Sequence, residues 1–232
     1  MGGAYCPPSS SERIEREMGI TLSIGFGMSE CASLCAFSDI DAPLVQRLHT
    51  VGLPLEGVEI KTEGNNPEGQ NEMLVRGYCV MKGYYGSPEE TKRVLDDDGW
   101  LHTGDACRID ENGAVRVTGR IKDIIIRGGE NITPSEIEEV LLTMDSIRDV
   151  SCVGVPSDVY GEEIAAFIIP FGTGEIDPEE IREYAKKSLA FFKIPRYIFT
   201  VSEFPVNSAG KVLNTKLREM AAALVNEKYS SK

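Results

Sequence analysis

Positive charge is scarce in this chain of 232 residues: 24 Lys and Arg stand against 37 Asp and Glu, a formal net charge of −13. A nucleic-acid surface needs clustered Lys and Arg, so no nucleic-acid partner is expected, whereas a single nucleotide asks for only a few local donors. Long apolar runs are missing too. None reaches the ~18 residues of a membrane span, so no integral membrane segment is expected. Met1 to Pro8 has neither the basic flank nor the apolar stretch of a signal peptide. Cys6 stands where a myristoylation signal wants Ser or Thr. The six cysteines are scattered at 6, 31, 35, 79, 107 and 152. Cys31 and Cys35 have no second pair and no nearby His, which is poor for zinc. Reduced thiols in a cytoplasmic protein fit that pattern. There is no internal repeat. With 41% hydrophobic and 26% charged residues, the chain is ordinary globular material, long enough for one good core or two modest ones.

The most informative stretch runs from Gly119 to Glu138. Arg120, Lys122 and Asp123 mark a corner in water. Ile124-Ile125-Ile126 reads as a short buried strand. Gly128-Gly129 lets the backbone bend or approach a ligand closely. Thr133, Pro134 and Glu136 then spell a capping box with proline at the first helical position. Ile137, Val140, Leu141 and Met144 follow at i, i+3, i+4, i+7, one apolar helix face.

Before this stretch, Pro8 to Met18 reads as a helix stopped by Gly19 and Ile20 to Ile24 as a short strand. Gly25-Phe26-Gly27-Met28-Ser29-Glu30 reads as a glycine-flexed loop, and 31–50 as loop with a turn or two of helix. From Val51 the texture is β. Gly57 to Lys61 and Met73 to Tyr78 flank turn chemistry at Asn65 to Gly69. Ser87-Pro88-Glu89-Glu90 spells a second capping box and opens a short helix to Leu95, and Asp96-Asp97-Asp98-Gly99 is a solvent turn rather than a cation cage. Asp105 to Ile109 and Ala114 to Thr118 flank the hairpin signal Glu111-Asn112-Gly113. Beyond the central stretch come strands at Val150 to Val155, Ala165 to Ile169 and Tyr197 to Val201. Helices are expected from Asp177-Pro178 to about Leu189 and around Leu217 to Leu224. The expected fold class is therefore mixed α/β, with a β-rich region at about 50–120 and a domain boundary between Ile121 and Lys122.

These motifs, in this order and over nearly the whole chain, resemble the acyl-adenylate-forming (AMP-binding) superfamily, and most of all its acyl-CoA synthetases. The resemblance implies residues 1–121 as the C-terminal part of the large AMP-binding domain and 122–232 as the small mobile C-terminal domain. It implies ATP-dependent activation of a carboxylic acid, of the fatty or another apolar class, to acyl-AMP, then transfer to coenzyme A. Gly3 and Ala4, of Gly2-Gly3-Ala4, would border adenine. Gly25, Phe26, Gly27, Ser29 and Glu30 would form the adenine and phosphate motif, with Phe26 on the base, Ser29 on phosphate and Glu30 holding Mg²⁺. Asp105, in Trp100-Leu101-His102-Thr103-Gly104-Asp105, would accept from both ribose hydroxyls. Arg120 would contact ribose or phosphate, Lys122 would be the hinge, and Gly128 and Gly129 would line the path of the pantetheine arm. Lys211, in Pro205-Val206-Asn207-Ser208-Ala209-Gly210-Lys211, would bridge the substrate carboxylate and the α-phosphate. Lys193 and Arg196 could touch coenzyme A phosphates or serve structure.

The family's Ser/Thr/Gly-rich phosphate loop has no match here; the serines at 9–11 lack its glycine frame and its Lys. The chain is therefore expected to be a fragment with little activity alone, showing exposed apolar surface on 1–120. The alternative is a non-catalytic or split subunit that pairs with a separate N-terminal half, or binds acyl-AMP or coenzyme A without turnover.

Overall fold

A computed structural model describes residues 8–64, 71–172, 176–208 and 210–229. The chain divides into two compact units, Met1–Lys122 and Asp123–Lys232. Among the described residues no helix is long and apolar enough to cross a membrane.

In the first unit, α1 (Pro8–Met18) stops at Gly19, whose φ of 64° lies in the left-handed region that glycine tolerates best. A three-stranded antiparallel sheet follows, made of β1 (Gly25–Phe26), β2 (Ala36–Phe37) and β3 (Leu53–Pro54). The sequence places a strand at Ile20–Ile24, and the structure corrects this. That segment forms no strand: one backbone bond, from the Ser38 amide to the Ile24 carbonyl at 2.9 Å, joins it to the chain alongside, and side chains hold the rest. Glu15 Oε1 accepts from the Leu22 amide at 2.6 Å, Arg47 Nη1 donates to the Leu22 carbonyl at 2.7 Å, and Ser38 Oγ accepts from the Ile24 amide at 2.8 Å. Arg47 also pairs with Glu15 at 2.5 Å, with both side chains largely buried, tying α1 to α2 (Leu44–His49).

The β-rich part is a four-stranded antiparallel meander. Its strands are β4 (Val58–Glu63), β5 (Asn71–Gly77), β6 (Leu101–Ile109) and β7 (Val115–Arg120), in spatial order 4-5-6-7. The turn residues 65–69 lie outside the described residues. The Glu111–Gly113 hairpin forms as its turn chemistry predicts: Asp110 Oδ1 accepts from the amides of Asn112 and Ala114, and Gly113 takes a φ of 84°. The triple aspartate is likewise a turn, since Asp96 Oδ1 accepts from the amides of Asp98 and Trp100. Before it, α3 (Pro88–Val94) begins at Ser87 without a side-chain cap, so no capping box forms there. The core of this unit gathers Met73, Val75, Leu101, Cys107 and Val115 with Cys31, Cys35 and Cys79.

In the second unit, β8 (Ile125–Arg127) and β9 (Glu130–Ile132) form a hairpin closed by Gly128 and Gly129. Both glycines have positive φ, 61° and 91°. A two-residue turn with two left-handed positions is the type I′ geometry that matches strand twist, and it strongly favours glycine. The three isoleucines are not uniformly buried: Ile125 is fully buried and Ile126 is 54% exposed, the alternation of a two-faced strand.

This hairpin joins β10 (Ile147–Ser157) and β11 (Gly161–Pro170); β12 (Tyr197–Thr200) runs parallel to β11. Successive residues of β11 serve opposite faces. Ile164, Ala166 and Ile168 pack with Ile137 and Leu141 of α4 (Pro134–Leu141) and with Ile181 and Ala185 of α5 (Pro178–Ala185). Ala165, Phe167 and Ile169 pack with Leu217 and Ala221 of α6 (Asn214–Tyr229). A strand covered on both faces reads as a continuous apolar run, as β11 does. Asp177 caps α5 by accepting from the Glu179 amide at 2.9 Å. The capping box expected at α4 does not form. Thr133 makes no side-chain cap there, and Glu136 is drawn instead to Lys193 Nζ, 2.8 Å from each carboxylate oxygen.

Glu138, on α4, carries a pH-dependent contribution to stability. Its Oε1 accepts from the Cys152 amide at 2.7 Å. Burial, with Asp149 and Asp123 adding to it, raises its pKa from 4.5 to about 7. A carboxyl whose pKa rises on folding binds its proton more tightly in the folded state. The stability it contributes is present in full below the unfolded pKa near 4.5 and is lost as pH rises through about 7. Glu138→Gln keeps an acceptor for the Cys152 amide and removes the charge. We expect it to match wild type at pH 5 and to be more stable by roughly 1–3 kcal/mol at pH 8. Denaturant unfolding at the two pH values checks this; equal effects at both would sink it.

Candidate functional site

In the first unit, β1 runs through a tight loop into a short 3₁₀ turn, Ser29–Cys31. Gly25 and Phe26 therefore belong to a strand, correcting the loop expected there: Gly25 pairs with Phe37 and Phe26 with Ala36. The Phe26 carbonyl accepts from the Cys35 amide at 2.9 Å, and the Met28 carbonyl from the amides of Cys31 and Ser33. This closure brings the chain back onto Gly27. A Cβ built there would stand 1.6 Å from the Ser33 carbonyl oxygen, so only glycine fits. Ala32 and Ser33 adopt positive φ, 51° and 88°, uncommon for residues with a side chain. Phe26 is half-buried against the unit's core, while Ser29 is exposed at the turn.

Glu30 is held from a distance in sequence. Its Oε1 accepts from the Tyr84 hydroxyl at 2.9 Å, and its carbonyl accepts from the Met81 amide at 2.8 Å. The hydrogen bond that the Tyr84 phenol donates to Glu30, with burial and the Glu30 charge adding to it, pushes that phenol up from its ordinary value. Nothing local in the sequence signals this pairing, which spans 54 residues.

Asp105 and Arg120 are direct cross-strand partners on β6 and β7. The Asp105 carboxylate is buried and accepts from Arg120 Nε at 3.0 Å. A bulge in β6 delivers it. Between Glu72 and Leu74 on β5 the pairing jumps from Ala106 to His102, so residues 103–105 arch out. Thr103 Oγ1 donates to the Met73 carbonyl at 2.7 Å, and Glu72 Oε1 accepts from the Gly104 amide at 3.0 Å. Gly104 takes a φ of 70°. Bulges re-aim side chains, and this one turns Asp105. Trp100, at the head of the motif, has two cations over its ring, with Lys61 Nζ 4.2 Å and the Arg76 guanidinium carbon 4.4 Å from its centroid. Tyr84, Glu72 and Thr103 are thus site-supporting residues that sequence reasoning missed. Lys122 is exposed and closes the first unit, within the 3₁₀ turn Ile121–Asp123. Gly3 and Ala4 lie outside the described residues.

The second unit holds the remaining candidates. Asp123 is not a solvated corner residue: it accepts from Asn214 Nδ2 at 3.0 Å and pairs with Arg218 at 3.5 Å, both on α6. Gly128 and Gly129 are the exposed hairpin tip. Within this unit a Cβ on Gly129 would meet nothing and one on Gly128 only Tyr160 at 3.4 Å, so φ, not space, asks for glycine here. Arg127 beside them reaches Glu163, and Lys193 and Arg196 pair with Glu136 and Glu163. Lys211 sits on an exposed turn. Its amide donates to Asn207 Oδ1 and its carbonyl accepts from the Asn207 amide, both at 2.9 Å.

Two family models match the chain: AMP-binding enzyme over residues 1–85, and AMP-binding enzyme C-terminal domain over residues 136–211. The chain is 38% identical over 233 residues to the putative acyl-CoA synthetase YngI of Bacillus subtilis (strain 168), covering 97% of this chain and 42% of that protein. It is 39% identical over 226 residues to the mitochondrial medium-chain acyl-CoA ligase ACSF2 of Danio rerio, covering 94% and 37%. The fold superposes on o-succinylbenzoate CoA synthetase (MenE) from Bacillus subtilis, solved in complex with the acyl-adenylate intermediate OSB-AMP. There the TM-score is 0.84 at 31% identity, over 94% of this chain and 45% of that one. The chain thus spans about two fifths of the length of the curated relatives it matches. With both models matched in order along a mixed α/β fold, the chain belongs to the acyl-adenylate-forming, AMP-binding superfamily, as a C-terminal portion whose relatives are acyl-CoA synthetases.

Proposed function

We propose that this chain carries the adenine, ribose and mobile-lysine side of an acyl-CoA synthetase. That enzyme would be an acid–thiol ligase acting in the cytoplasm on a carboxylic acid of the fatty class, ATP and coenzyme A. In the first half-reaction a carboxylate oxygen attacks the α-phosphorus of ATP and the bond to pyrophosphate breaks. In the second the coenzyme A thiolate attacks the acyl carbon and AMP leaves. Both reactants of the first step are anionic, so the site must neutralise charge and align the groups.

The observation that carries this reading is the Asp105–Arg120 pair. A buried carboxylate, aimed by a bulge and steadied by Arg120, is the kind of acceptor that a ribose diol requires. Phe26 supplies a face for adenine. Ser29, exposed beside it, donates to phosphate, and Gly3 and Ala4 border the base. Glu30 fits a Mg²⁺ role: it is one carboxylate, anchored through Tyr84, and Mg²⁺ commonly takes one or two carboxylates and leaves its other positions to phosphates and water. When bound, the ion neutralises phosphate charge. Lys122 is the hinge about which 122–232 moves between half-reactions, a motion that absorbs φ/ψ change at few residues. Gly128 and Gly129 border the pantetheine arm, and Lys211 bridges carboxylate and α-phosphate. The fatty class is supported by the medium-chain ligase among the relatives. The cytoplasmic placement is supported by five buried, free thiols among the described residues.

The fragment reading and the split-subunit reading share support from one feature. Met18, Ile20, Leu34, Phe37, Ile40, Leu44, Val45 and Leu53 are exposed apolar side chains within one stretch of the first unit, as expected of a surface that an N-terminal half covers. The test fuses the chain to the upstream portion of the Bacillus subtilis relative and follows AMP and acyl-CoA with octanoate. We expect both products, dependent on ATP and coenzyme A. A folded fusion that makes neither acyl-AMP nor acyl-CoA would overturn the reading. The same activity on mixing the two portions unlinked would favour the split form.

A further inference from the structure

Three ligand-bearing side chains converge on the face of the four-stranded sheet, one from each of β4, β5 and β6. His102 Nδ1 lies 3.0 Å from Glu72 Oε2 and 4.0 Å from Glu63 Oε2, and the three ligand atoms all lie within 4.8 Å of one another. Metal–ligand bonds of about 2.0–2.2 Å set ligand atoms roughly 3–4 Å apart around one ion, the range of the two His102 spacings. Among the described residues this is the one such group of three.

Two further features fit a cation. Glu63 and Glu72 are direct cross-strand partners, and like charges directly opposite destabilise a sheet. A cation between them turns that repulsion into attraction. Glu72 is also already oriented as a ligand: its Oε1 accepts from the Gly104 amide, which leaves Oε2 toward His102. Outer hydrogen bonds of this kind fix ligating carboxylates in metal sites. The side chains of Glu72 and His102 are 27% and 29% exposed, and that of Glu63 is 59% exposed. The site therefore opens to water, which can fill the remaining coordination positions.

We propose that Glu63, Glu72 and His102 form a divalent transition-metal site, suited to Zn²⁺, that pins the bulged strand ahead of Asp105. An imidazole with two carboxylates is a nitrogen–oxygen set that takes Zn²⁺ or Co²⁺ in preference to the all-oxygen ions Ca²⁺ and Mg²⁺. Because Glu72 holds both the ion and the Gly104 amide, occupancy stiffens residues 103–105. The site is independent of the assignments around Phe26 and Lys211.

The test uses the full chain stripped with chelator, titrated with Zn²⁺ by calorimetry and with Co²⁺ by absorption. We expect one ion per chain, a visible Co²⁺ band, and a thermal midpoint that rises with added Zn²⁺. His102→Ala and Glu72→Gln should each weaken binding about 10- to 100-fold. Glu63→Gln alters an exposed side chain outside the Gly104 contact, so it should weaken binding while leaving the metal-free thermal midpoint in place. His49→Ala, at the only other histidine, should bind as wild type does. Absence of saturable Zn²⁺ binding, or binding as tight as wild type in both His102→Ala and Glu63→Gln, would overturn the site and leave a plain ion pair.

Discussion

Lys211→Ala, made in the fusion with the upstream portion, should cut ATP–pyrophosphate exchange by about 10²–10³-fold. Thioester formation from supplied acyl-AMP should stay near wild type. The size follows from the chemistry proposed: two anions must meet, and a preorganised cation at the developing charge is worth several kcal/mol in a site that excludes water. The selectivity follows from the turn. The backbone of Lys211 closes the Asn207–Lys211 hairpin through two bonds of 2.9 Å, and both survive substitution of the side chain. Its neighbours Val206 and Val212 pair as an isolated bridge. Alanine therefore removes the ammonium and leaves the loop. Circular dichroism and thermal midpoint should be unchanged. Equal losses in both half-reactions would show that Lys211 supports structure or general nucleotide binding instead. Unaltered exchange would remove it from the site.

The second large effect concerns stability and the hairpin beside Gly128. Glu163 is fully buried and receives Arg127 Nε at 2.7 Å, Arg127 Nη2 at 3.2 Å and Arg196 Nη1 at 3.4 Å. Arg127, itself only 13% exposed at its side chain, also donates to the Phe192 carbonyl and lies over the Tyr160 ring at 4.6 Å. Glu163→Ala strands that guanidinium without its counter-charge. Breaking one side of a buried pair costs roughly 3–5 kcal/mol, far more than the pair's net worth over an apolar replacement. The thermal midpoint of the second unit should fall by about 10 °C or more. Replacing both partners, Arg127→Met with Glu163→Leu, should recover most of the loss, because no buried charge is then left alone. A single-variant loss below about 1 kcal/mol would mean that water reaches the site and screens it, as at a surface ion pair.

Features fixed by neighbouring residues were legible in the sequence. Gly19 ends α1, Asp110 with Gly113 shapes the β6–β7 hairpin, and Asp177 caps α5, each through contacts within a few residues. The apolar run Ala165 to Ile169 announced the strand β11, though not its burial on both faces. Features fixed by distant partners were hidden. Glu136 forsakes the cap of α4 because Lys193 arrives from 57 residues away. Ile20–Ile24 has strand-like residues, yet a strand exists only where another backbone pairs along it, and here side chains of Glu15, Arg47 and Ser38 take most of that role. The motif residues could be named from their order alone. The bulge that aims Asp105, the tyrosine that holds Glu30 and the grouping of His102 with two glutamates all depend on strand register, which no local pattern encodes.

The exposed apolar residues between Met18 and Leu53 bear on the life of the polypeptide in a cell as well as on its assembly. Exposed apolar surface of this kind is what chaperones and quality-control proteases engage, and the same surface drives aggregation at micromolar concentration. The abundance of this chain would then follow the speed with which the stretch is covered rather than the intrinsic stability of either unit. Coverage supplied by the same polypeptide during synthesis would keep levels high, whereas coverage that depends on meeting a second molecule would make them rise and fall with the supply of that molecule.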